Sequence, residues 1–79
     1  MNEMGVRKCV ADAISVDLSL VGESFSAETV DEWDSLKHLI LILALEDKFS
    51  VSFTEDEVVN MMSYTAVKDA LLAHGVSLQ

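Results

Sequence analysis

The run Leu36-Lys37-His38-Leu39-Ile40-Leu41-Ile42-Leu43-Ala44-Leu45 constrains this chain more than any other stretch. It extends through Glu46-Asp47-Lys48 to Phe49 and predicts a helix over Ser35–Phe49. At about 100° per residue its apolar side chains fall into two stripes. His38, Leu41, Ile42, Leu45 and Phe49 share one face along the whole length, the better candidate for the core. Leu36, Leu39, Ile40 and Leu43 form the opposite face, which gives way to Asp47. A helix apolar all round is either enclosed or has a second surface to cover. With 79 residues the chain makes one small domain, residues 1–79, and such a domain buries only about 60–65% of its unfolded surface. It can hardly enclose both faces, so the second stripe is expected to be partly exposed and to meet something else.

The rest of the chain supplies partners for the first stripe. A first helix is expected from about Asn2 to Ser15, with Val6, Val10, Ala13 and Ile14 on one face and Cys9 beside them. Residues 16–34 form a connection longer than loops usually are unless self-packed or functional. Its Val16, Leu18, Leu20, Val21, Phe25, Val30 and Trp33 are expected to anchor it. Gly22-Glu23-Ser24 suggests a turn, and Glu28–Asp34 a short helical turn. Ser50–Phe53 reads as an extended link. Thr54 with Glu57 is a capping box that opens a short third helix from Glu55 to Met61 or Met62, with Val58 and one of the methionines inward. Thr65 is expected to cap a last helix, Ala66–His74, packed through Val67, Ala70, Leu71 and Leu72, with Gly75 as its stop. No proline interrupts any of this. The fold class that follows is all-α, with four helices, a long first connection and a short third helix.

Charge and cysteine content exclude several functions. Fourteen acidic and five basic residues give a net charge of −9, which repels nucleic acid phosphates and anionic lipid and favours basic patches on protein partners. The same charge keeps an apolar-rich protein dissolved. Cys9 is the single cysteine, so neither an internal disulfide nor a cysteine-based metal site can form. Asp31, Glu32 and Asp34 lack calcium-loop spacing, and no metal site is expected. Met1–Gly5 carries no signal-peptide pattern, and Leu36–Leu45 is too short to span a bilayer. A free-standing cytoplasmic domain is therefore expected, with neither nucleic acid nor membrane among its partners. No Ser-His-Asp or Cys-His arrangement is legible, which argues against an enzyme.

The chemistry-bearing motif is Asp34-Ser35-Leu36 at the mouth of the apolar helix. Its plainest reading is a helix cap, with Asp34 or Ser35 accepting a first-turn N–H. Other segments add context: Ala44-Leu45-Glu46-Asp47-Lys48-Phe49 closing the second helix, Glu55-Asp56-Glu57 opening the third, and Thr65-Ala66-Val67-Lys68-Asp69-Ala70 in the last. Together these resemble the acyl carrier proteins, most strongly from Trp33 to Leu72 and faintly before Val16. Trp33 and Ser63-Tyr64 look more like the free-standing carriers of small secondary pathways than like the fatty-acid synthase carrier.

The resemblance implies a four-helix bundle of acyl-carrier type. It implies 4′-phosphopantetheine on Ser35, delivered from coenzyme A by a phosphopantetheinyl transferase with Mg²⁺. Asp34 and Leu36 would flank the attachment point. Further implied partners are an acyl- or aminoacyl-loading ligase or transferase and downstream biosynthetic enzymes, with no catalysis by the carrier itself. The expected partner-facing residues are Leu36, Lys37, Ile40, Leu43 and Asp47. Lys37 and Ile40 stand where fatty-acid carriers commonly present acids, so docking near Ser35 is expected to be more apolar. Ser50 stands where many carriers have glycine, so either the helix ends differently or a strained residue is tolerated. His38 could line an acyl cavity, but a partly buried histidine making one hydrogen bond is the favoured reading. Two alternatives stay open: an aminoacyl or peptidyl carrier for an adenylating ligase, and an acidic interaction module whose serine is never modified.

Overall fold

A computed structural model describes residues 3–77. Four α-helices follow in order: α1 Glu3–Ile14, α2 Ser35–Phe49, α3 Glu55–Asn60 and α4 Tyr64–Ala73. The expected start of the first helix at Asn2 lies outside the described residues. Among those described there is no strand, only an isolated antiparallel bridge between Ser26 and Ser63.

The core forms where α1 lies against α2 and α4. Val6, Val10 and Ile14 of α1, Leu41, Ile42 and Leu45 of α2, and Tyr64, Val67 and Leu71 of α4 are all buried. These sets follow helical spacing on each element, so burial of one face explains why these segments hold helical form. His38 and Phe49 at the ends of the inner stripe of α2 are half-buried.

The long connection is anchored as expected at Val21, Phe25 and Trp33, which are buried. Arg7 Nε donates to the Val21 carbonyl at 2.9 Å. Two backbone bonds, Ala27 N–H to Met62 O and Tyr64 N–H to Phe25 O, both 2.9 Å, tie its middle to the start of α4. Two expectations fail here. The helical turn lies at Leu18–Leu20, where Asp17 accepts the Ser19 N–H, and not over Glu28–Asp34, which forms successive tight turns. Leu20, expected as an anchor, is exposed.

Helix ends show two more corrections. α4 begins at Tyr64 because Ser63, not Thr65, caps it: Ser63 Oγ accepts the Ala66 N–H at 3.1 Å, while the Thr65 hydroxyl pairs with Ser63 Oγ. Leu72, expected inward, is exposed, because it lies about 100° round from the buried Tyr64, Val67 and Leu71 stripe. α3 stops at Asn60; Met61 is then buried and Met62 turns out. The Thr54–Glu57 capping box forms as expected. The three longer helices, α1, α2 and α4, end alike, with a left-handed residue: Ser15 (φ 68°), Ser50 (φ 55°) and Gly75 (φ 82°). Glycine reaches that conformation without cost, whereas both serines carry strain there. Of the two outcomes open at Ser50, tolerated strain is the one observed.

Candidate functional site

The site is built on the first turn of α2. Asp34 sits just outside the helix in extended geometry (φ −96°, ψ −174°), and its Oδ1 accepts the Lys37 N–H at 2.9 Å. Its carbonyl accepts the His38 N–H at 2.8 Å. Asp34 therefore does the capping. Ser35 is the first helical residue and is exposed, and its hydroxyl has no hydrogen-bond partner among the described residues. Of the two candidate caps, the structure thus assigns the role to Asp34 and leaves Ser35 Oγ uncommitted. The first N–H groups of any α-helix have no partner within it, and they carry the positive end of the helix dipole. An anionic group on Ser35 Oγ would sit where those N–H groups and that dipole favour it.

Beside Ser35 runs the outer stripe of α2. Leu36, Leu39, Ile40 and Leu43 are 65%, 55%, 41% and 58% exposed, as their spacing predicted. Scattered exposed leucines are ordinary, but four on one helical face form a contiguous patch. Asp47 follows beyond Leu43 and lies on the rim of a cleft of about 610 Å³ between α1 and the end of α2. Lys37 is drawn away from the patch: its Nζ donates to Ser15 Oγ at 2.8 Å, at the end of α1. Of the five residues expected to face partners, Leu36, Ile40 and Leu43 share the exposed stripe, Asp47 stands at its far end, and Lys37 is committed to the body of the protein.

Two features escaped the sequence reading. His38 makes two hydrogen bonds, not one. The Trp33 indole N–H donates to Nδ1 at 3.0 Å, and Nε2 meets the Val58 carbonyl at 2.7 Å. A buried Trp N–H needs an acceptor, and a His five residues away was the available signal. Glu46, read only as surface acidity, accepts the Phe53 N–H with Oε2 at 2.9 Å and so folds the extended link back on α2.

Other reactive groups are muted. Burial pushes the Cys9 thiol pKa up, against a smaller lowering by Lys48, which favours the unreactive thiol. Among the described residues no group of three or more His, Cys, Asp or Glu side chains is placed to hold a metal ion. No helix there is long and apolar enough to cross a membrane. Compared with models of known protein families, the chain matches none. Compared with curated proteins, it has no significant match.

Proposed function

We propose that the protein is a carrier that holds an acyl or aminoacyl group as a thioester on a 4′-phosphopantetheine arm attached to Ser35. The observation that carries this reading is the division of labour at the mouth of α2. Asp34 alone supplies the cap, so the exposed Ser35 hydroxyl is surplus to folding. The motif resemblance and the all-helical order with a long first connection support the same reading.

Attachment would be a phosphoryl-type transfer. The Ser35 oxygen bonds to the pantetheine-side phosphorus of coenzyme A, the bond to the 3′,5′-ADP half breaks, and the serine proton leaves. The transferase and its Mg²⁺ supply the catalysis. This chain supplies an accessible oxygen, held at a fixed point by the Asp34 cap, next to a helix end that favours the resulting diester anion. The arm itself supplies the thiol that carries cargo. Tethering then raises the concentration of that cargo at each docked enzyme. Leu36, Ile40 and Leu43 form the apolar face that partners would cover, and Asp47 marks its acidic end.

Intact mass before and after incubation with coenzyme A and a promiscuous phosphopantetheinyl transferase tests the proposal. One phosphopantetheine should be gained, and Ser35→Ala should abolish the gain with helicity unchanged. A chain that stays bare, or gains the group at another residue, would refute it. Loading the modified chain from acyl and aminoacyl donors then separates the two cargo classes.

A further inference from the structure

The six-residue helix α3 contributes no buried residue. Its flanks are secured elsewhere: Phe53 by the side chain of Glu46, and Met61 by burial in the core just before Met62 pairs with Ala27. Between those points Val58 packs half-buried against the core, and among the described residues the hydrogen bonds that reach α3 from other elements come from histidines. His38 of α2 meets the Val58 carbonyl at 2.7 Å, and His74 at the end of α4 meets Glu57 Oε2 at 2.8 Å. These are the two histidines of the chain.

The two ties differ in kind. An indole N–H can only donate and a carbonyl can only accept. With Trp33 donating to Nδ1, the ring must keep its hydrogen on Nε2 to donate to Val58. Both bonds require the same tautomer, so each favours the other. Trp33 is buried against Phe25, with ring centroids 5.6 Å apart, and it directly precedes the Asp34 cap and Ser35. A continuous chain of contacts runs from the α3 backbone through His38 and Trp33 to the start of α2.

We propose that His38 is a positioning residue that couples the seating of α3 on α2 to the loop presenting Ser35. When the Trp33–His38 bond is made, the Nε2–H tautomer is further favoured and the bond to Val58 is strengthened. When α3 lifts, Nε2 loses its acceptor and the restraint on Trp33 weakens. A partner covering the outer face of α2 and touching α3 would thereby alter how firmly the Asp34–Ser35 loop is held. Relevance to Ser35 modification rests on the carrier reading; the coupling itself does not.

Amide hydrogen exchange on the full, unmodified chain tests the coupling. Trp33→Phe keeps an aromatic ring on Phe25 but removes the donor. Exchange at Val58, Val59 and Asn60 should then speed by up to about fivefold, the equilibrium worth of one whole net hydrogen bond. Val10 and Ala11 in α1 should speed less than the α3 amides. His38→Leu should speed the α3 amides at least as much, and His38→Gln, which retains an acceptor and a donor, should recover part of the protection. Wild-type exchange in α3 of the Trp33→Phe chain would overturn the proposal. So would acceleration shared equally by α1 in all three variants, which marks a merely structural role. A wild-type chain that takes no phosphopantetheine would defeat the carrier reading and leave this result standing.

Discussion

Adjacent residues at the mouth of α2 are assigned opposite roles, and stability measurements can separate them. Asp34 Oδ1 accepts the Lys37 N–H at 2.9 Å, while Ser35 Oγ has no partner among the described residues. Replacing an N-cap Asp by Ala costs about 1 kcal/mol, with a range of about 0.5–2. Losing its charge near the helix N-terminus adds about 0.3–1 kcal/mol. Asp34→Ala should thus cost about 1–2 kcal/mol. Asp34→Asn keeps the acceptor and should cost only the charge term. Ser35→Ala removes an exposed, unbonded hydroxyl and should fall within about 0.5 kcal/mol of the parent.

Urea unfolding with an unchanged slope reads these differences directly. For a domain of this size, about 1 kcal/mol corresponds to a midpoint shift of about 4–8 °C on heating. Equal losses for Asp34→Ala and Ser35→Ala would mean that the serine shares the capping. Its hydroxyl would then not be free for modification. A loss under about 0.3 kcal/mol for Asp34→Ala would mean that the cap does not hold the helix start.

The two faces of α2 should also separate: Leu45→Ala, at 0% exposure, should cost about 3–4 kcal/mol, and Leu43→Ala, at 58%, no more than about 1. Similar losses would show the outer stripe to be enclosed, as in a self-associated chain. Ser50→Gly should raise the thermal midpoint by a few degrees, since about 1–2 kcal/mol of left-handed strain is relieved against a smaller gain in unfolded-chain entropy; Ser15→Gly should gain less because it also gives up the Lys37 contact, and a lowered midpoint for Ser50→Gly would refute the strain. The Glu57 carboxyl is held below its ordinary value of 4.5, first by the Thr54 N–H and then, more weakly, by His74. Its anion therefore favours the folded chain above that ordinary value, and this contribution is lost as pH falls through the depressed folded one, so Glu57→Gln should flatten the loss of stability below about pH 5; an unchanged acid limb would sink this. Affinity for an enzyme that docks on α2 should hardly change from low to high salt, and a steep decline would show that basic patches, not Leu36, Ile40 and Leu43, dominate.

What was legible in the sequence was whatever repeats locally. The span Ser35–Phe49, the inner and outer stripes of α2 and the Thr54–Glu57 box all follow from spacing within one element. The start of α4 was misplaced because Ser63 and Thr65 are equally good caps by type. Ser63 wins because Tyr64 is drawn into the core and its N–H is bound to Phe25 O from a distant segment. The helical turn at Leu18–Leu20 was missed for a similar reason: its signal is one aspartate capping a single turn, weaker than the acidic run 28–34 that competed with it. His38 was placed on the correct face, but its second partner is a carbonyl twenty residues away, which no local pattern encodes. At the site itself, the exposed hydroxyl and apolar stripe could be read from the chain, whereas the choice between Asp34 and Ser35 as cap needed backbone geometry.

The same geometry fixes how charge is distributed around Ser35. In sequence the nearest cation is Lys37, two residues on, which suggests an ammonium ready to meet an anion on the serine. In space its Nζ is bound to Ser15 Oγ at 2.8 Å, and residues two apart on a helix do not face one another. What the helix end itself offers Ser35 is N–H groups and a partial positive charge. Asp31, Glu32 and Asp34 precede it, and an uncharged leucine stripe follows. A diester anion there would be accommodated by the backbone rather than gripped by a salt bridge. On the proposed carrier reading this suits a mobile arm, because a side-chain ion pair at its base would restrain it.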